Sequence, residues 1–188
     1  MKKYLMLVKH SLPEIVESIP ACEWRLSDEG RVRAQRLAER LSPFHPEKIV
    51  SSIEPKAKET AEILADRYNL EYHTADGLHE HDRRTTPFLS PHQFQQAVRE
   101  FFEKPDTLVF GSETAEAAYA RFSSAVNAVL SESANQTILI VSHGTVISLF
   151  VSRMAGISDM RLWSELGLPS YVVLDMQTKV LIARENIL

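Results

Sequence analysis

The chain has 188 residues, 44% of them apolar and 24% charged, with a formal net charge of −4. This composition describes a soluble globular protein, one domain over 1–188 with room for a full core, and the mild acidity argues against a nucleic-acid or anionic-membrane partner. The single cysteine, Cys22, excludes an internal disulfide and points to a reducing, cytoplasmic setting; no apolar run approaches a membrane span, and the five residues between Lys3 and Lys9 are too few for the apolar part of a signal peptide.

Tyr4-Leu5-Met6-Leu7-Val8 reads as a strand buried on both faces, and it runs directly into Lys9-His10-Ser11. In open α/β sheets ligands bind beyond the carboxyl ends of such strands, which is where His10 stands. Ser11 to Leu26 reads as a loop with Pro13, Pro20 and Trp24. Ser27 is a helix N-cap followed by Asp28 and Glu29, and Ala34, Leu37, Ala38 and Leu41 give that helix its apolar stripe, with Arg31, Arg33, Arg36 and Arg40 on its solvated faces. Lys48 to Ser51 is a second strand. Pro55 opens a helix carrying Ala57, Ala61, Leu64 and Tyr68 on one face and Lys56 in its first turn.

Leu70 to His73 is a weaker strand candidate, and Thr74 to Ser90 reads as an irregular polar segment centred on His79-Glu80-His81-Asp82-Arg83-Arg84. Ser90-Pro91 starts a helix with Phe94, Ala97, Val98 and Phe101 along one side, and Pro105 to Ser112 is a loop. A long helix from about Thr114 to Ser131 is expected to bury Ala118, Phe122, Ala125, Val126 and Val129. Thr137 to Ser142 is another buried strand, delivering His143-Gly144-Thr145 as the first delivers His10, and a helix begins near Gly144. Tyr171 to Asp175 and Val180 to Ala183 are two strands joined by a tight turn. Strands alternating with helices predict an α/β sandwich, and two strands that each end in a histidine predict one shared pocket.

Several chemistries are excluded by pattern. No Gly-x-x-x-x-Gly-Lys run exists, no two of the six glycines are two apart, and no serine lies in a Gly-x-Ser-x-Gly elbow. The residue six after Cys22 is Asp28 rather than an arginine, and no Asp-x-Asp pair follows a strand. The pair His79 and His81 lacks further ligands at recognisable spacing, so no metal is expected. What remains is two histidines, Lys9 and Lys56 near one sheet edge, and a loop glutamate. Histidine is a competent nucleophile toward phosphorus, cations stabilise the equatorial oxygens, and a carboxylic acid can protonate the leaving oxygen.

These segments together resemble the histidine phosphatase superfamily, the phosphoglycerate mutase-like family. Lys9-His10-Ser11 stands in the place of its Arg-His-Gly signature, and Ser27 to Ala38 is similar to its Leu-Thr-x-x-Gly-x-x-Gln-Ala helix. Ser51-Ser52-Ile53-Glu54-Pro55-Lys56-Ala57-Lys58-Glu59-Thr60-Ala61 resembles the Ser-Ser-x-x-x-Arg-Ala-x-Gln-Thr-Ala block. Leu78-His79-Glu80 matches its Leu-x-Glu, Gly111-Ser112-Glu113 with Arg121 resembles a Gly-Glu-Ser segment and the arginine after it, and Val141-Ser142-His143-Gly144 matches the second-histidine motif. The resemblance implies a three-layer α/β/α sandwich with a mostly parallel sheet, hydrolysis of a small phosphorylated substrate, and no cofactor. It further implies His10 as the phosphorylated nucleophile, His143 as the second histidine, Glu80 as proton donor, and Lys9 and Lys56 at the two phosphate-clamp positions.

Three departures stand out. Both clamp arginines are lysines, which replaces a planar two-pronged donor by a mobile point charge. Ser11 occupies a usual glycine position, and Val16 replaces the mutase-type asparagine six residues after the histidine, which disfavours a mutase. A catalytically weak phosphate-binding domain is therefore the competing reading. Ser11, Gly144 and Thr145 are candidate substrate contacts, and His81, Arg83 and Arg84 are candidates to meet a second anionic group of the substrate, the alternative being exposed loop charges. Oligomeric state is left open.

Overall fold

The computed structural model describes residues 2–133 and 135–187. Its elements follow as β1 (Tyr4–Lys9), α1 (Asp28–Leu41), β2 (Lys48–Ser51), α2 (Pro55–Tyr68), β3 (Tyr72–Thr74), α3 (Pro91–Glu103), α4 (Ala115–Glu132), β4 (Ile138–Ser142), α5 (Gly144–Ala155), α6 (Asp159–Glu165), β5 (Ser170–Asp175) and β6 (Leu181–Asn186). The six strands form one sheet in the order β3-β2-β4-β1-β5-β6. The β2/β3, β2/β4 and β1/β4 pairings are parallel, while β5 and β6 add an antiparallel edge.

Strand pleating divides the apolar residues between two cores. Leu5, Leu7, Ile138, Ile140, Val172 and Leu174 face one way, packing against Phe101, Phe122, Phe150 and Leu162 of α3 to α6. Met6, Val8, Ile49, Leu139, Val141 and Val173 face the other way, against Leu37, Leu41, Ala57 and Leu64 of α1 and α2. The result is the expected three-layer sandwich with a mostly parallel sheet.

Local signals act as anticipated at most helix starts. Ser27 accepts the Gly30 amide at 3.0 Å, and Ser90 forms a reciprocal capping box with Gln93. Gly30 also answers to packing, since a Cβ there would stand 2.0 Å from the Leu12 carbonyl oxygen. The short helix α6 was not foreseen. At seven residues it is too short for a periodic signal, and its local cues are the Ser158 cap and Asp159 in the first turn. Ala125, expected in the core, is only partly buried at its edge.

Candidate active site

Sheet register brings the two histidines together. Lys9 of β1 lies opposite Ser142 of β4, and the His10 amide continues the ladder by donating to the Ser142 carbonyl at 2.9 Å. The next residues on the two adjacent strands are thus His10 and His143, whose rings approach edge-to-face with centroids 5.1 Å apart. His10 Nδ1 lies 2.8 Å from the Ser11 carbonyl oxygen, which can only accept, so Nδ1 carries the proton and the Nε2 lone pair is free. Burial, with Lys56 and His143 nearby, holds the His10 pKa well below the usual histidine value. His143 is likewise held neutral by burial and by Lys56; its Nε2 is 2.8 Å from Ser52 Oγ and its buried Nδ1 has no protein partner.

Next to Glu54, Lys56 and Glu80 opens a cleft of about 360 Å³, lined also by Ala21, His81, Arg83 and Arg84. The two lysines are both engaged. Lys56 Nζ donates to Glu54 Oε2 at 2.5 Å and to the Ala21 carbonyl at 2.6 Å, forming a buried ion pair. Lys9 Nζ donates to the Leu166 carbonyl at 2.7 Å, and burial lowers its pKa from 10.5 to about 8. Glu54 escaped the sequence reading. Its Oε1 accepts the Glu80 amide at 2.9 Å and lies 3.5 Å from His143 Nε2. The available signal was positional: it lies just beyond β2, at the residue immediately before α2.

Glu80 sits against the amino end of α5. Its carboxylate accepts the amides of Thr145 at 3.1 Å, Val146 at 3.3 Å and His81 at 2.9 Å. Burial pushes its pKa up, but His143, Arg83 and the backbone N–H donors outweigh this, so it is held below the usual carboxylate value. The segment carrying it is pinned by Arg121 of α4. That guanidinium donates to the carbonyls of Gly77 (2.7 Å), His79 (2.9 Å) and Glu80 (3.2 Å), and pairs with Glu113 at 2.5 Å. Arg121→Ala is expected to remove about 2–3 kcal/mol of stability, since several charge-assisted bonds in a part-buried setting are lost together. A Tm lower by roughly 4–12 °C in thermal unfolding checks this; an unchanged Tm rejects the pinning role.

Not every expected contact faces the cleft. Ser11 is fully buried, its hydroxyl donating to the Gly30 carbonyl at 2.6 Å and its amide to Thr60 Oγ1 at 3.0 Å, so its donors are spent on holding α1 and α2. Neither its amide nor its hydroxyl has a donor left for the expected substrate contact, and its carbonyl orients His10. Gly144 provides room for Lys9, because a Cβ there would lie 3.1 Å from Lys9 Cε. The Thr145 amide is taken by Glu80, while its buried hydroxyl has no protein partner. His81 lines the cleft but is buried. Its ring packs against Phe101 and Phe110, its Nε2 donates to the Glu113 carbonyl at 3.2 Å, and burial keeps it neutral, which makes it a poor anion contact. Arg83 does reach the cleft. Its guanidinium lies 4.5 Å from the Phe94 ring centroid and its buried Nη1 has no protein partner. Among the described residues no cluster of His, Cys, Asp and Glu is arranged to hold a metal ion, and no helix is long and apolar enough to cross a membrane.

The fold is thus a mostly parallel sandwich that sets two neutral imidazoles at adjacent strand ends, with the charge of Lys56 felt by both. The chain belongs to the histidine phosphatase superfamily (branch 1), whose family model matches residues 14–183. Its class of activity is accordingly the hydrolysis of phosphoric monoesters. Phosphoserine phosphatase 1 of Hydrogenobacter thermophilus is 27% identical over 144 residues, covering 74% of this chain and 68% of the relative. In fold the chain is similar to the phosphoserine phosphatase of Entamoeba histolytica solved with 3-phosphoglyceric acid (TM-score 0.79, 18% identity, 98% and 97% of the two chains covered). It is also similar to mycobacterial glucosyl-3-phosphoglycerate phosphatase (TM-score 0.72, 21% identity, 92% and 90% covered).

Proposed function

We propose that the chain hydrolyses a phosphate monoester in two steps through a phosphoryl group carried on Nε2 of His10. The observation that supports this most is the Nδ1 hydrogen bond to Ser11, which leaves the Nε2 lone pair of a neutral ring as the available nucleophile. In the first step Nε2 attacks phosphorus, the ester P–O bond breaks, and the leaving oxygen takes a proton from Glu80. In the second, water attacks phosphorus, Glu80 recovers the proton, and the P–N bond breaks to release inorganic phosphate. Glu80 is ionised in the free protein, but a monoanionic ester brings both a proton and a negative charge to its side. Like-charge repulsion then favours the carboxylic acid.

Lys9, Lys56, Arg83 and the His143 ring would surround the phosphoryl oxygens. Lys9 gives a pH signature with opposite signs for activity and stability. Its charge is present below about pH 8, so kcat/KM is expected to fall as pH rises through that value. Because its folded pKa lies below the ordinary 10.5, the unfolded chain binds the extra proton between these limits, and the Lys9 contribution to stability rises with pH there. A kcat/KM profile flat to pH 10 rejects the role of Lys9.

The engagement of Lys56 with Glu54 favours a second reading, a domain that binds phosphate with little turnover. Glu54→Gln keeps an acceptor for the Glu80 amide but releases Lys56. Inhibition by inorganic phosphate is expected to tighten about three- to tenfold, as for the gain of one charge-assisted contact. Steady-state hydrolysis of an aryl phosphate by the unaltered protein separates the readings: phosphate binding without turnover supports the second.

A further inference from the structure

Beside the catalytic cleft lies a second hollow of about 440 Å³, between the β1–α1 loop and the segment leading into α3. Its walls are mostly apolar, with Ile15, Ile19, Trp24, Phe88, Leu89 and Phe94 contributing, and Glu17, Ser18, Thr86, Arg83 and Arg84 are its polar lining. The Trp24 indole N–H is already donated to the Val16 carbonyl at 2.9 Å, so that side chain offers the hollow only its apolar ring. Ile15 is 62% exposed, Phe88 50% and Ile19 37%, three of the eight large apolar side chains that stand exposed among the described residues, and Ile53 at 48% lies on the adjoining cleft. Single exposed apolar residues need no explanation, whereas a cluster of them around a concavity marks a binding surface. The two hollows share Pro20, Ala21, Arg83 and Arg84 in their walls.

We infer that this hollow receives the organic part of the substrate, and that the substrate is a phosphate monoester of an apolar alkyl or aryl alcohol. The inference rests on the phosphatase reading for the position of the phosphoryl group. Arg83 lines both hollows; its guanidinium lies over the Phe94 ring and its buried Nη1 has no protein partner, so this side chain can pack against the apolar group and give its charge to the phosphoryl oxygens. Arg84 is not a second free cation, because Asp82 holds it at 2.7 Å. A hollow with these walls gives the carboxylate of a small polar phosphometabolite no counter-charge apart from Arg83. A volume near 440 Å³ is of the size that encloses small organic ligands.

The test uses n-alkylphosphonates from ethyl to octyl, which keep the charged head constant and cannot be hydrolysed. Calorimetry is expected to show Kd falling about two- to fourfold per added methylene, with inorganic phosphate competing against every member. In the Ile19→Ser/Phe88→Ser double variant, both positions exposed and so tolerant, the slope per methylene should flatten. A Kd independent of chain length, no binding of any member, or binding that phosphate does not displace overturns the inference. Turnover of ethyl and hexyl phosphate, which share a leaving-group chemistry, is read separately. A chain-length gradient without turnover overturns the phosphatase reading alone, whereas turnover without a gradient overturns only the apolar-substrate inference.

Discussion

His10→Ala is expected to lower kcat for any phosphate ester by at least about a thousandfold, because loss of a covalent nucleophile removes a whole reaction path rather than one contact. The fold should survive. Among the described residues the ring's hydrogen bond goes to the neighbouring Ser11 carbonyl alone, and the strand that carries it is fixed by the β4 and β5 ladders and by two apolar cores. Steady-state assays give the rate, and rapid quench with a labelled ester gives the chemistry. The unaltered protein should trap an acid-labile phosphorylated species on histidine, and the variant none. Retention of a tenth of the activity, or a labelled species that persists in the variant, would show that phosphorus is attacked by another group.

Glu80→Gln carries the second large effect, a fall in kcat of about 10²- to 10⁴-fold for esters of ordinary alcohols, the usual weight of a positioned proton donor. Its size should depend on the leaving group. A nitrophenolate departs without help, so the variant should hydrolyse nitrophenyl phosphate far better than an alkyl phosphate, relative to the unaltered protein. Glutamine still accepts one of the α5 amides, which keeps the stability change near about 1 kcal/mol. An equal loss on both substrates would make Glu80 a group that only holds the amino end of α5. The geometry gives this alternative real content, since three backbone N–H groups already converge on the carboxylate.

Much of this site was legible because its parts lie at the ends of strands with strong apolar signals. Tyr4 to Val8 and Thr137 to Val141 could hardly be anything but buried strands, and each leads directly to its histidine. Glu80 and Arg121 were legible only through family resemblance, since nothing local marks a glutamate in a polar loop or an arginine on a helix. Glu54 was missed for the same reason. Its importance comes from where β2 ends relative to His143, a distance that no spacing along the chain encodes. The burial of His81 was not legible, because a histidine between charged residues looks exposed, whereas Phe101 and Phe110, twenty and more positions away, close over it.

The sequence by itself determined the alternation of strands and helices, the two apolar faces of the sheet, and the placing of two histidines at strand ends, because each of these follows from period and local propensity. The tertiary structure alone decided that Lys56 answers to Glu54, that Ser11 faces inward, that Arg83 stands between two hollows, and that exposed apolar side chains from the β1–α1 loop and the approach to α3 meet around one of them. Those features depend on how loops from distant parts of the chain settle over a finished sheet. Loop positions are fixed by side-chain packing and charge pairing in three dimensions, for which a linear pattern has no counterpart.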